Sequence, residues 1–225
     1  MFQAIIDLFF PRVCCACLKA LNDRVEMICL DCRHDLPVTN FHFTNDESVK
    51  KVLYGRTKIE HATALFRFEK KSNVQQLIHN LKYKNQEEIG AFLGNWLGAE
   101  LQDIKDYKDI DLVIPVPLHR NKLKTRGYNQ VAKFGKQIAK ALHAEYRDDI
   151  LLKVTTSRSQ VHKKRLARWQ NNTEQFTLTN PDPITGKHIL IVDDLITTGA
   201  TLESCASVLN LANNIKISIA TMAIA

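Results

Sequence analysis

Ile189-Leu190-Ile191-Val192-Asp193-Asp194-Leu195-Ile196-Thr197-Thr198-Gly199-Ala200-Thr201 decides how the rest of this chain is read. Four branched apolar residues in a row predict a strand covered on both faces, as in a parallel sheet. Two carboxylates follow where that strand is expected to run out, and then a loop of Thr, Gly and Ala. Leu202 to Leu209 resumes with helical spacing. Strand, hydroxyl-rich turn and helix start make an anion cradle, because backbone N–H groups and the helix dipole converge on one point. Gly199 lets the backbone approach an anion closely, and the threonine hydroxyls add donors.

The paired acids add a second demand. Side chains alternate along a strand, so neighbouring aspartates can both face a ligand only where the strand ends. Two acceptors beside an anion cradle suit the vicinal hydroxyls of a ribose 5-phosphate. The run resembles the phosphoribosyl-pyrophosphate (PRPP) motif of type I phosphoribosyltransferases. That resemblance implies that Asp193 and Asp194 hold the ribose hydroxyls, and that the PRPP-binding set continues through Leu195, Thr197, Thr198, Gly199, Ala200 and Thr201, with the loop on the 5-phosphate. No Lys follows Gly199, which excludes a nucleotide P-loop. The rivals are an ordinary strand–turn–helix with solvated acids and a phospho-acceptor aspartate, which has no use for the Thr-Thr-Gly-Ala-Thr loop.

The 225 residues lie between one domain and two, and 45% apolar composition is that of a soluble globular protein. No apolar run reaches the length of a membrane span. Met1 to Phe10 is apolar but lacks a basic start and a small-residue cleavage site, so it does not read as a signal peptide. The expected compartment is the cytoplasm. The net charge is +7, and it is uneven. Seven Lys and Arg and no acid lie between Arg120 and Lys140, and five against Glu174 alone lie between Thr155 and Phe176. Such stripes suit a polyanion, whether a pyrophosphate or a nucleic acid; solvated helix faces account equally for the lysines after residue 130.

Cys14-x2-Cys17 and Cys29-x2-Cys32 form two hooks of the kind that wrap one Zn²⁺ in a tetrahedron. Four thiolates leave no open coordination position, so the metal would be structural. Arg12, Lys19, Arg24 and Arg33 lie close in sequence to offset the charge. Disulfides are the rival, disfavoured in a reducing compartment. Cys15 gives a less regular bite than Cys14, and Cys205 falls on the apolar stripe of the helix after the cradle.

Residues 35 to 60 show little periodicity and read as a connector. Ala62 to Phe68 alternates as a strand, Val74 to Leu81 looks helical, and a second helix is expected from Glu87 to about Leu101. Asp111 to Ile114 is a short buried strand, Val131 to Leu142 an amphipathic helix, and Ile150 to Val154 a further strand. His188 to Val192 and Lys216 to Met222 supply the last two. Alternating strands and helices predict a mostly parallel α/β sheet with its ligand at the carboxyl ends of the strands.

Pro115-Val116-Pro117-Leu118-His119-Arg120 through Arg126-Gly127-Tyr128-Asn129-Gln130 leaves a strand end and can reach the sheet edge that carries Asp193. Dispersed cations and a glycine turn suit a diphosphate. At this point the order of motifs becomes specific. A two-hook cysteine start, Leu81-Lys82-Tyr83-Lys84, the proline–arginine segment and the Ile-Val-Asp-Asp run resemble the ComF family over nearly the whole chain. Gln160, Arg168, Asn171 and Phe176 fit a further element of that family, a basic segment corresponding to the mobile hood of type I transferases. There Lys163, Lys164, Arg165 and Arg168 would neutralise the leaving pyrophosphate, and Trp169 would pack as a hinge or stack on a base.

The resemblance implies an α/β fold with a mostly parallel sheet of the type I phosphoribosyltransferase kind and a small N-terminal four-cysteine zinc-binding module. Residues 1–35 would be the zinc-binding module, 36–60 the connector and 61–225 the phosphoribosyltransferase-like domain. The chemistry implied is displacement at the ribose anomeric carbon, with Mg²⁺-pyrophosphate leaving and no protein nucleophile. Asp193, Asp194, Arg126 and Arg168 would be the catalytic set. Val116, Pro117, His119, Arg120 and Lys82 would join the PRPP-binding set. Two readings stay open: a phosphoribosyltransferase with an undetermined acceptor, and a PRPP-responsive factor that binds single-stranded DNA and works with DNA-uptake proteins. No oligomeric state can be read.

Overall fold

A computed structural model describes residues 12–21, 27–154, 175–179 and 181–225. The basic segment expected to form a hood, with Gln160, Lys163, Lys164, Arg165, Arg168, Trp169 and Asn171, lies outside the described residues, as do Arg24 and the apolar start.

Among the described residues the elements begin, in chain order, with three short helices, α1 (Leu30–Asp35), α2 (Phe41–Thr44) and α3 (Ser48–Val52). Strand β1 (Ala62–Arg67) leads to helices α4 (Asn73–Tyr83) and α5 (Glu88–Leu101), then β2 (Leu112–Pro115). Helices α6 (Arg120–Arg126) and α7 (Ala132–Ala141) precede β3 (Glu145–Tyr146), β4 (Leu151–Val154) and β5 (Gln175–Leu178). The chain closes with β6 (His188–Ile196), α8 (Ala200–Leu209) and β7 (Lys216–Ile224).

Five strands form one sheet in the order β1-β7-β6-β2-β3, and every pairing in it is parallel. The apolar run is therefore central: Ile189, Leu190, Ile191 and Val192 are fully buried between β7 and β2. Leu190 and Val192 enter a core with α4, α5 and α7, whereas Ile189 and Ile191 enter another with α3 and α8. A strand covered on both faces needs such an unbroken run, because neither face can be left polar. The stretch Ile150 to Val154 does form a strand, but outside this sheet. It makes an antiparallel pair with β5, and the undescribed segment joins the two.

Two features were not read from the sequence. Gly90, Gly94 and Gly98 line the face of α5 that meets α7, and a Cβ at Gly94 would sit 2.5 Å from the Phe134 carbonyl oxygen and 2.9 Å from its Cα. Hydrogen on that face lets the two helix backbones come close, which places the start of α7 against the sheet edge. The second feature is the stretch read as a connector. Phe41, Val49, Leu53 and Ile59 are buried in the core with α8, so residues 36 to 60 supply packing as well as linkage.

The N-terminal cysteine segment shares the other core. Cys14, Cys32 and Ile28 cluster with Val74, Leu77 and Ile78 of α4. The Asn80 amide donates to the Cys15 carbonyl at 2.9 Å, and the Arg33 guanidinium lies over the Trp96 ring at 5.6 Å.

Candidate functional site

The carboxyl ends of β2, β6 and β7 form the edge where the predicted residues meet. One expectation is corrected at once: β6 does not stop before the acids but continues through them to Ile196, paired with β7. By strand alternation Asp193 and Asp194 leave opposite faces. Asp194 follows Leu190 and Val192 toward α4 and α7, where its partners are found. Its Oδ1 lies 2.7 Å from Lys82 Nζ of α4. Its Oδ2 accepts from Gln130 Nε2 at 2.6 Å, from the turn before α7. Asp193 accepts the backbone N–H of Asp194 at 2.8 Å through its Oδ1. Both carboxylates are buried. Lys82 thus meets an acid and does not point to open solvent.

The network continues outward. Gln130 Oε1 accepts from Arg126 Nη1, and the Arg126 guanidinium lies 5.5 Å from the centre of the Tyr83 ring. The Tyr128 hydroxyl donates to the Leu81 carbonyl, tying the turn back to α4. A cleft of about 580 Å³ opens here, lined by Lys82, Tyr83, Asn85, Asn121, Lys122, Thr125 and Arg126. Three cations and two carboxamides, from the end of α4 and just past it and from α6, suit a doubly charged anion, since each contributes a donor and none an opposing charge.

The loop after β2 is fixed by backbone links. Val116 extends the ladder by donating its N–H to the Val192 carbonyl at 2.9 Å, and its own carbonyl accepts from Asn129 Nδ2 at 3.0 Å. His119 caps α6, its Nδ1 accepting the Asn121 N–H at 3.2 Å. Gly127 ends that helix at φ +85°, a left-handed position that glycine takes without strain. The structure divides the two arginines of α6. Arg126 faces Lys82, whereas Arg120, with Pro117, lines a separate groove of about 680 Å³ shared with β4.

The cradle itself begins α8. Gly199 is its N-cap at φ +76°, and Thr197, Thr198 and Ala200 are exposed around it. Its back wall was invisible in the sequence: Arg56 Nη2 donates to the Thr198 carbonyl at 2.7 Å, and Arg56 Nη1 pairs with Glu203 at 2.9 Å. A Cβ on Gly199 would lie 2.7 Å from Leu53 Cδ2 and 3.0 Å from Val52 Cγ1. These positions are too distant in sequence for any local motif to link them.

At the far end of the chain the four hook cysteines converge. The sulfurs of Cys14, Cys17, Cys29 and Cys32 all lie within 4.8 Å of one another, and Cys17 and Cys29 are 3.8 Å apart. Four sulfurs each about 2.3 Å from one Zn²⁺ would stand roughly 3.8 Å apart, so the set fits a tetrahedral metal. Burial acts to raise the Cys14 thiol, but backbone N–H groups of Cys17, Cys29 and Ala16 outweigh it and bring the group down to about 7. Cys32 is pushed up by burial and by the neighbouring thiols. Cys15 is buried outside this group, and Cys205 belongs to the core with α8.

Residues 131–223 match the phosphoribosyl transferase domain family. The DNA utilization protein YhgH of Shigella flexneri is 26% identical over 203 residues, covering 88% of this chain and 83% of that protein. Competence protein F of Haemophilus influenzae is 30% identical over 137 residues, covering 59% of this chain and 60% of that protein. Among solved structures, the glutamine PRPP amidotransferase from B. subtilis is similar with a TM-score of 0.42 and 17% identity, over 63% of this chain and 30% of that one. A likeness that loose carries no argument. The domain match covers the acid pair, the cradle and nearly all of β7, and relatives named for DNA utilization and competence support the resemblance to the ComF family.

Proposed function

We propose that this protein binds PRPP together with Mg²⁺ and transfers phosphoribose to an acceptor, with release of pyrophosphate. The observation that carries the reading is the unbroken polar chain Lys82–Asp194–Gln130–Arg126, which leads from the acid pair into a cationic cleft of about 580 Å³. Asp193 and Asp194 would orient the ribose hydroxyls. The loop Thr197–Thr201 would hold the 5-phosphate with backbone N–H groups and hydroxyls. Lys82, Lys122 and Arg126 would take the diphosphate, and Arg168 would add charge from the hood. Val116, Pro117, His119 and Arg120 would shape the diphosphate loop.

The chemistry asks for no protein nucleophile: positioning the anomeric carbon and stabilising the departing charge account for the rate. Mg²⁺ bound to the diphosphate would neutralise part of that charge. The test is calorimetric titration with PRPP and Mg²⁺ against ribose 5-phosphate, with pyrophosphate release measured in parallel. Tighter binding of PRPP than of ribose 5-phosphate supports the reading, and absence of PRPP binding removes it.

The four-cysteine cluster would hold a structural Zn²⁺. Metal analysis should find about one Zn per chain, lost on substitution of Cys14, Cys17, Cys29 or Cys32 and kept in Cys15→Ser and Cys205→Ser.

A second reading is favoured by the α6 surface, where Arg120, Lys122 and Lys124 are exposed and Lys122 shares the cleft with the exposed Tyr83 ring. A cationic helix beside an open aromatic ring suits single-stranded DNA, and two of the relatives are named for DNA utilization and competence. In this reading the protein is a PRPP-responsive factor in DNA uptake, working in the cytoplasm. Binding that is steeply salt-dependent and indifferent to sequence supports it. Absence of binding at low salt removes it.

A further inference from the structure

Gln130 belongs to no ligand set named above, yet it is the side chain through which the acid and the arginine meet. It is buried, with Nε2 2.6 Å from Asp194 Oδ2 and Oε1 accepting from Arg126 Nη1. The chemistry fixes this amide orientation. Turned over, it would set a carbonyl oxygen against a carboxylate and an NH₂ against a guanidinium, losing both bonds. A carboxamide donates to the anion through its NH₂ and accepts from the cation through its oxygen, so one side chain satisfies both Asp194 and Arg126. A carboxylate would satisfy Arg126 and repel Asp194; an ammonium would do the reverse.

Asp194 uses one lone pair of each oxygen on Lys82 and Gln130, and a carboxylate offers about four such sites. A second site on each oxygen therefore stays available for ligand hydroxyls. Held at both oxygens, the carboxylate cannot rotate away from the sheet edge. Resting on the PRPP reading, we infer that Gln130 is a positioning residue that couples the ribose acid Asp194 to the diphosphate arginine Arg126, so that the two ends of the ligand are recognised as one unit.

The test exploits the polarity of the amide. Gln130→Glu keeps the shape and the bond to Arg126 but sets a second carboxylate against Asp194. Two carboxylates in contact share a proton, and the pair titrates well above the ordinary range. PRPP affinity of this variant should approach the wild-type value near pH 5 and fall to at least about tenfold weaker by pH 8. The charged and titratable neighbours are Lys82 and Tyr83 of α4, Arg126 of α6, Tyr128 of the turn, and Asp193 beside Asp194. Glu88 of α5 and Glu87, its N-cap, are held by Lys133 of α7, and the His79 ring lies tilted against Tyr83 with centres 5.2 Å apart. All are common to both proteins, so their titration cancels in the ratio of affinities.

A double-substitution cycle reads the coupling without pH. Gln130→Met keeps length and removes both bonds. Combined with Arg126→Ala, it should lose at least roughly threefold less PRPP affinity than the product of the two single losses. A pH-independent ratio near one for Gln130→Glu, or strict multiplication of losses in the cycle, overturns the inference while leaving PRPP binding intact. If Gln130→Glu does not fold, the cycle alone decides. A wild-type protein that ignores PRPP overturns the parent reading instead, so the two failures are distinguishable.

Discussion

The two ends of β6 carry polar networks of similar make-up and opposite character. At its start, His188 Nδ1 lies 3.2 Å from Asp109 Oδ1 and Nε2 lies 2.8 Å from Ser218 Oγ. Acid, imidazole and hydroxyl stand in the order of a charge relay. Yet Ser218 is fully buried in β7 and already accepts the His61 N–H at 3.2 Å, so no substrate can reach its oxygen. At the end of the strand, Asp194 is just as well bonded, but its partner Lys82, and Arg126 beyond its partner Gln130, line an open cleft. Each cluster ties an acid to polar partners; access is what separates them. Amino ends of parallel strands close over short polar links, while carboxyl ends open into the loops that hold ligands.

The shared scaffold gives the harshest way to test that contrast. Gly94→Ala forces a methyl into the α5–α7 contact and should destabilise the whole domain by about 3 kcal/mol, the upper range for overpacking. Chemical denaturation measures it, and an unchanged midpoint would mean that the helices separate cheaply and that the site edge is not held by this contact.

Next come lesions confined to one end. Asp194→Asn should weaken PRPP binding by roughly ten- to a hundredfold, the worth of about 1.5–3 kcal/mol for bonds to a charged group, with thermal stability changed far less. Ser218→Ala should show the opposite pattern. It leaves His188 Nε2 and the His61 N–H without their partner and should cost about 1 kcal/mol or slightly more in stability, with PRPP affinity within about twofold of wild type. Loss of ligand binding in Ser218→Ala would erase the distinction between the two ends.

The gentlest probe is pH. Burial holds the His188 pKa below its ordinary value, the nearby Asp109 opposing that shift only in part. On acidification the unfolded chain therefore takes up a proton at this position before the folded one does. Stability is full above about pH 6.5 and declines as pH falls through the window below it, by at most about 1.4 kcal/mol per pH unit from this group. His188→Gln should flatten that part of the stability profile and leave PRPP binding alone.

What could be read from the sequence was whatever is local. The apolar run of β6, the glycine that starts α8 and the two cysteine hooks each depend on neighbours within a few residues, and each occurs where it was expected; the arginine segment, read as a loop, forms helix α6. The continuation of β6 through Asp194 could not be read, because its cause is pairing with Thr221 to Ile224 of β7, not the composition of β6. Gln130 carries no signal of its own; its meaning appears only when the fold sets it between an anion and a cation. Arg56 is harder still, being separated from Thr198 by 142 positions. The three glycines of α5 were the one readable sign that was missed: their four-residue spacing marks a helix face for close approach.

The backing of Gly199 restricts how relatives of this chain can diversify. The anion loop rests on Leu53 and Val52, and Arg56 grips its Thr198 carbonyl, so the segment after the cysteine hooks is moulded to the loop that closes the chain's last crossover. An N-terminal module exchanged at residue 60 would take half of that joint with it. Inheritance should therefore treat Leu53, Arg56 and Gly199 as one unit, and a hybrid spliced between them would be expected to fail in its loop before it failed in its sheet.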